Sequence, residues 1–367
     1  MLSILKGDLV LQHNKTVSRR TFLAMLGIGM SGAVLAACSD DSKGANTTGT
    51  QGSGSDASSN NASGTRTFTD DVGRDVEIPN QPQRLVSTKG ITSLVALGIT
   101  PVGIANMEID LYPYPDVVKK LKEDEATDLH ERELNIEKVI SLQPDVIVAS
   151  TPRDDDNRET LAAIAPTVVI ESGDERKHRW DDTLRFFGRV MNKEDKAEEL
   201  LSDYQDRVDE FKEKHGDYLK DKTVSVLRIR NDNLIIYTKS SFAGGVLDQV
   251  GIKRPKNQDL DLAATKAATN GESIEAFPLS PERLNEADAD IMFVVVQVHD
   301  DPSEQDDQDK ATLANVEKVK NHPLWNKLNA VKNNQTFFVN AVWNGESVME
   351  ANSMLDDLNK HIGSLNS

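Results

Sequence analysis

A short pattern occurs twice in this chain, 145 residues apart and without a gap. Asn135-Ile136-Glu137-Lys138-Val139 stands ahead of Pro144-Asp145-Val146-Ile147. Ser280-Pro281-Glu282-Arg283-Leu284 stands ahead of Ala289-Asp290-Ile291-Met292. Each copy reads as a helix start followed by a buried strand. A second pair, Leu97-Gly98-Ile99 and Val250-Gly251-Ile252, puts glycine where a helix should stop. Duplicated helix-then-strand units predict two similar α/β lobes, each with a parallel sheet.

Patterning along the chain fills in both lobes. Residues 66–79 alternate around Asp71-Val72-Gly73-Arg74, a turn between two short strands. Strands follow at 84–87, 101–104, 145–149 and 168–170, with helices at 91–97 and 135–142. In the second half the strands are 224–229 and 290–296, and the helices are 243–250 and 280–287. Between the halves, Ala197, Leu200, Leu201, Tyr204, Val208 and Phe211 recur at three- and four-residue steps. That spacing predicts one amphipathic helix over 193–216, about 30 Å long and ending at His215-Gly216. The expected lobes are 66–192 and 217–367. A single long helix between them restricts hinge motion.

The N-terminal 65 residues belong to neither lobe. Lys6, Lys15, Arg19 and Arg20 make a basic start, and residues 22–37 are apolar or small and uncharged. Such a run is short for a stable span and fits a signal peptide. It ends in Leu35-Ala36-Ala37-Cys38, which resembles a bacterial lipobox, so Cys38 is the expected lipidation site. Ser18-Arg19-Arg20-Thr21-Phe22-Leu23 resembles a twin-arginine export signal. Gly27-Ile28-Gly29-Met30-Ser31-Gly32 spells GxGxxG, but no βαβ strand precedes it and it lies in the segment expected to be removed. Residues 38–65 are rich in Ser, Gly, Asn, Thr and Asp. They read as a flexible tether, long enough to favour a Gram-positive surface.

Composition excludes several functions. Acidic residues outnumber basic ones 60 to 42, a net charge of −18, which becomes −21 once residues 1–37 are removed. Nucleic-acid binding would need a basic face. Cys38 is the only cysteine, so there is no disulfide framework and no all-cysteine metal site. His13, His130, His178, His215, His299, His322 and His361 form no i, i+2 or i, i+4 pair, which argues against bare metal binding.

Further motifs carry a resemblance. They are Thr69-Asp70-Asp71-Val72-Gly73-Arg74 leading to Ile78-Pro79, Pro82-Gln83-Arg84-Leu85-Val86, His322-Pro323-Leu324-Trp325 and Ala330-Val331-Lys332. With the repeat, the lipobox and the tether, the chain over 66–365 resembles the ferric-siderophore-binding lipoproteins of bacterial ABC importers. These share their fold with vitamin B12 and haem binders. The resemblance implies two Rossmann-like lobes, a ligand cleft between them, no enzymatic activity, no cofactor and an iron(III)-siderophore as cargo. It also implies a membrane attachment through lipid and docking on a permease dimer with its ATPase. In that family a glutamate in each lobe pairs with permease arginines. The matching positions here are Glu137 and Glu282, in first turns where a helix N-terminus favours a carboxylate. Asn135 and Ser280 are suitable N-caps, and Pro281 suits the first helical position.

The ligand should sit at the carboxyl ends of the strands. In Val224-Ser225-Val226-Leu227-Arg228-Ile229-Arg230, alternation puts Arg228 and Arg230 on one face. Guanidinium groups suit oxygen-rich chelates of carboxylate or hydroxamate type, with catecholates also open. Tyr237, in the next strand, can offer ring and hydroxyl or pack in the core. Lys89 follows the first strand of the N-terminal lobe, and Tyr112 and Arg153 lie in post-strand loops. Trp343 stands where the resembling family often has a cleft tryptophan. Trp325 is expected in the core; Trp180 has no clear place. Haem or a corrinoid remains the alternative ligand, with His299 and Met107 a conceivable axial pair. A surface hydrolase is the remote alternative, with neither a GxSxG elbow nor an HExxH motif to support it.

Overall fold

The structure is a computed structural model. It describes residues 64–105, 119, 121–129, 134–151, 153–171, 179–230, 233–298 and 307–366. Strands β1 (Thr65–Thr69) and β2 (Asp75–Pro79) pair antiparallel. Their turn takes a left-handed Gly73, φ 78°. The buried Asp70 carboxylate accepts from the backbone N–H groups of Val72 and Arg74 and from the Arg74 guanidinium, which closes the turn.

The first lobe is a five-stranded parallel sheet in the order β5-β4-β3-β6-β7. The strands are β3 (Leu85–Ser87), β4 (Gly103–Ile104), β5 (Thr127–Asp128), β6 (Val146–Thr151) and β7 (Thr167–Glu171). Helices α1 (Ile91–Ala96), α2 (Ile136–Ser141) and α3 (Arg158–Ile164) make crossovers. The runs over 146–149 and 168–170 are buried, as central parallel strands require.

The second sheet runs β10-β9-β8-β11-β12, from β8 (Val224–Arg230), β9 (Asn233–Tyr237), β10 (Ala276–Leu279), β11 (Ile291–Val296) and β12 (Thr336–Val339). Strands β8, β11 and β12 are parallel, but β9 lies antiparallel to both β8 and β10. The second sheet is therefore mixed, not a copy of the first. Arg230 pairs with Asn233, and so short a link permits only a hairpin.

The repeat is a repeat of hydrogen bonds. Gly98 and Gly251 both adopt φ 76°. The N–H of Ile99 donates to the Leu94 carbonyl and that of Ile252 to the Leu247 carbonyl, each at 2.9 Å, so both helices close the same way. Asp145 accepts from the N–H groups of Gln83 and Arg84, and Asp290 from the N–H of Thr223. In each lobe one aspartate thus pins the start of the neighbouring strand. The match fails at the preceding turn. Asn135 caps α2, accepting from the Lys138 N–H at 3.0 Å, but Ser280 does not cap and residues Pro281–Ala287 wind as a 3₁₀ helix. There the Ser280 hydroxyl serves the Glu282 carboxylate, and Arg283 N–H bonds the Ser280 carbonyl three residues back.

Helix α4 (Trp180–Met191) leads through a left-handed Asn192 into α5 (Glu194–Leu219), 26 residues long. Helix α5 runs past the stop predicted at Gly216. That glycine has open space around it, while Leu219 is buried and holds the last turn in place. Trp180 is buried at the head of α4, edge-on to Tyr204 at 5.0 Å. Trp325 is buried as expected. The C-terminal helix, α10 in chain order (Val348–Leu365), follows α6 (Phe242–Gln249), α7 (Leu262–Ala268), α8 (Asp307–Lys320) and α9 (Asn329–Lys332).

More than α5 joins the lobes. One apolar core runs from Leu85, Val148 and Phe187 through Tyr204 and Phe211 to Val226, Phe293 and Leu358. Helix α10 is tied to α5 by Arg207–Asn352 (2.7 Å) and His215–Asn359 (3.2 Å), and it also packs on α1. Helix α5 is the single long connection expected along the chain, and α10 and the shared core add packing across it.

Candidate functional site

In the first sheet the chain reverses direction of growth between β3 and β6; in the second, β8 and β11 are the adjacent parallel pair. Ligands of open α/β sheets bind outside the carboxyl ends of strands at such points. Beyond β3 lie Thr88 and Lys89. Beyond β6 lie Arg153 and the buried Asp154. The Asp154 carboxylate accepts from the Thr88 hydroxyl at 2.5 Å and from the Ser150 N–H at 2.7 Å, which clamps the two strand ends together. The Arg153 guanidinium donates to the Thr88 carbonyl at 3.1 Å.

The facing wall is built from β8, β9, β11 and the loop after β12. Arg228 is half-buried near the end of β8. Its guanidinium donates to the Gln297 side-chain carbonyl at 2.6 Å and to the Tyr237 hydroxyl at 3.1 Å. The Tyr237 hydroxyl donates in turn to Asn344 Oδ1 at 2.8 Å. Burial pushes the Tyr237 phenol above its ordinary pKa, against the pull of Arg228, so it stays a neutral donor. Arg228 Nε is buried and has no hydrogen-bond partner. A guanidinium bonded to two neutral side chains, with a third donor unused, fits an anionic or oxygen-rich guest. Arg230 lies on the same face, exposed at the strand end.

Lys89 Nζ lies 3.6 Å from a Glu346 carboxylate oxygen, across from the first lobe to the second. The loop from Asn344 to Ser347 therefore presents Asn344 to the Arg228–Tyr237 network and Glu346 to Lys89.

The remaining site expectations fall differently. Trp343 is fully buried. Its indole stacks on Phe293 at 4.4 Å and its N–H donates to Asp357 at 2.9 Å. The cleft tryptophan is thus corrected to a core tryptophan, because the 3₁₀ turn Ala341–Asn344 turns it inward while Asn344 points to the site. Tyr112, Cys38, His299 and Met107 lie outside the described residues. Glu137 and Glu282 are both exposed, one in each lobe. The Glu282 carboxyl is held below its ordinary pKa by its own backbone N–H and the Ser280 hydroxyl. Among the described residues, no group of His, Cys, Asp and Glu is placed to hold a bare metal ion.

Sequence reasoning missed Thr88, Asp154, Gln297, Asn344 and Glu346. Gln297 had a usable signal, since it is the first polar residue after the buried run of β11. Two surface hollows, of about 470 and 450 Å³, lie beside Arg185 and Ile140 and contain none of these residues. The site is located by strand ends and converging polar groups, not by those hollows.

Comparisons with known proteins agree with the two-lobed fold. The family described as periplasmic binding protein matches residues 86–342. The chain is 33% identical over 312 residues to the probable siderophore-binding lipoprotein YfiY of Bacillus subtilis, covering 83% of this chain and 90% of that protein. It is 31% identical to the achromobactin-binding periplasmic protein of Dickeya dadantii, covering 77% and 87% respectively. The crystal structure of Staphylococcus aureus SirA complexed with staphyloferrin B superposes with a TM-score of 0.65 at 29% identity, covering 82% of this chain and 99% of that one.

Proposed function

Because the chain belongs to the periplasmic binding protein family, we propose that it captures an iron(III)-siderophore complex outside the cytoplasm and delivers it to the permease of an ABC importer. It is a binding protein and turns nothing over. The observation that carries this reading is Arg228, a half-buried cation at a strand end whose bonded partners are neutral and whose Nε is unused. Lys89 and Arg153 supply positive charge from the other lobe, and Arg230 adds to it at the rim. The iron arrives chelated, as cargo, and the protein grips the chelate's oxygens while leaving the metal's own ligands alone. Carboxylate and hydroxamate chelates suit these donors best.

Export and docking complete the proposal. Residues 1–37 are a signal peptide, Cys38 is the lipid-modified anchor on the outer membrane face, and residues 38–65 tether the lobes. Glu137 and Glu282 offer one carboxylate per lobe to the permease dimer, whose ATPase drives uptake. Titrating the protein with ferric citrate, a ferric trihydroxamate and a ferric triscatecholate tests the reading. At least one should quench tryptophan fluorescence at submicromolar concentration and raise the melting temperature. No response to any of them, with a Soret shift on adding haemin, would replace siderophore by haem. Replacing Cys38 by serine should release the protein from membranes.

A further inference from the structure

Among ion pairs between described residues, Lys89–Glu346 is the one that joins the two lobes. It lies at the carboxyl ends of the strands, where the ligand is proposed to enter. Glu346 is held there by a rigid frame. Gly345 packs so tightly on Glu350 that an added Cβ would meet the Glu350 Cβ at 2.2 Å. Ser347 caps α10, accepting from the Met349 N–H at 3.1 Å, and its hydroxyl bonds the buried Glu350 carboxyl. On the other side, Asn344 is bonded to Tyr237. Between these two anchors the backbone at Glu346 has little freedom, which keeps its side chain within reach of Lys89. The Lys89 side chain is only 18% exposed and that of Glu346 39% exposed, so the pair is partly sheltered from water and salt.

We infer that Glu346 is a specificity-determining residue of the cleft, which occupies Lys89 in the empty protein and yields it only to a chelate carrying an anionic arm. This rests on the capture reading above and narrows it. A ferric chelate with a free carboxylate can replace Glu346 as the partner of Lys89 and add the bidentate geometry that Arg228 and Arg153 accept. A neutral or cationic trihydroxamate has nothing to exchange for the pair, and gains nothing from Lys89. Glu346 therefore tunes the preference by competition: it contends with an anionic arm for Lys89 and so lowers affinity for a carboxylate chelate, while a chelate without such an arm is unaffected.

The test measures dissociation constants in the full chain for ferric citrate and for a ferric trihydroxamate without carboxylates. Glu346→Gln keeps the size and removes the charge. It should tighten ferric citrate by about two- to fivefold, the scale of an exposed ion pair, and leave the trihydroxamate unchanged. Lys89→Met should weaken ferric citrate, and in the Lys89→Met background Glu346→Gln should no longer tighten it. Equal shifts for both chelates, no shift in E346Q, or full additivity in the double variant would overturn the assignment. If the unaltered protein binds no chelate of the panel, the capture reading falls and this inference with it. If capture is intact and E346Q discriminates nothing, this inference alone falls.

Discussion

Arg228→Ala is the most informative single change. The residue makes two side-chain hydrogen bonds, to Tyr237 and Gln297, and neither partner carries a charge. Removing it strips the wall of a half-buried cation while the Tyr237 hydroxyl keeps Asn344 as its acceptor. A charged hydrogen bond to a ligand contributes about 1–3 kcal/mol, so affinity for an oxygen-rich ferric chelate should fall roughly 5- to 150-fold. Folding should suffer little, because the truncation also removes a buried Nε that had no partner. Arg228→Lys should recover part of the affinity through charge alone, without the planar fork. The assay is a fluorescence or calorimetric titration of each variant beside a thermal melt of the empty protein. Unchanged affinity in Arg228→Ala would remove the residue from the site. A large drop in melting temperature would instead make it a structural residue.

Three further outcomes follow from other parts of the molecule. Burial raises the Glu350 carboxyl to about 7 and the Asp357 carboxyl to about 6, whereas in the unfolded chain both titrate near about 4. The folded state then holds the extra protons, so this stability is present at acid pH and is lost as pH rises through the folded values. His361, pushed down to about 4 by burial, acts oppositely: its contribution is present above about 6.5 and is lost as pH falls toward 4. Between about pH 6.5 and 8 Glu350 outweighs His361, net stability should fall by about 0.5 kcal/mol, and Glu350→Gln should abolish that fall. A flat profile in the unaltered protein contradicts this. Trp343→Ala should cost about 3–5 kcal/mol in urea unfolding, as a truncated core aromatic, and leave the chelate's contacts intact; a milder Trp343→Phe, stable enough to titrate, should bind with unchanged affinity. Glu137→Ala with Glu282→Ala should spare ligand binding and impair uptake in cells. Normal uptake in the double variant would end their docking role.

Much of the architecture was legible in short patterns. Glycine at 98 and 251 can stop a helix because it alone adopts φ near 76° without strain, and both do. The stripe from Ala197 to Phe211 made α5 visible because a helix buries every third or fourth residue. The aspartates at 145 and 290 recur because each must satisfy the N–H groups that open a neighbouring strand. Arg228 stood out for a similar reason, as a cation on a strand face that begins with Val224 and Val226 and ends in a second arginine. These are signals within a few residues of one another, and local sterics and backbone hydrogen bonding are enough to determine them.

Tertiary packing decided the rest. Whether Trp343 faced the cleft or the core depended on Phe293 and on Asp357, 14 residues away along the chain. The partners of Arg228 include Gln297, 69 positions on, and Glu346 meets Lys89 from the opposite lobe. No periodicity encodes such meetings. They exist because two sheets share one core with α5 and α10, and burying that apolar surface carries the polar strand ends into register. The sequence by itself determined two lobes, their helix stops and the strand that carries the arginine. Only the packed structure determined which side chains stand opposite that arginine, and that the lysine of one lobe is held by a glutamate of the other.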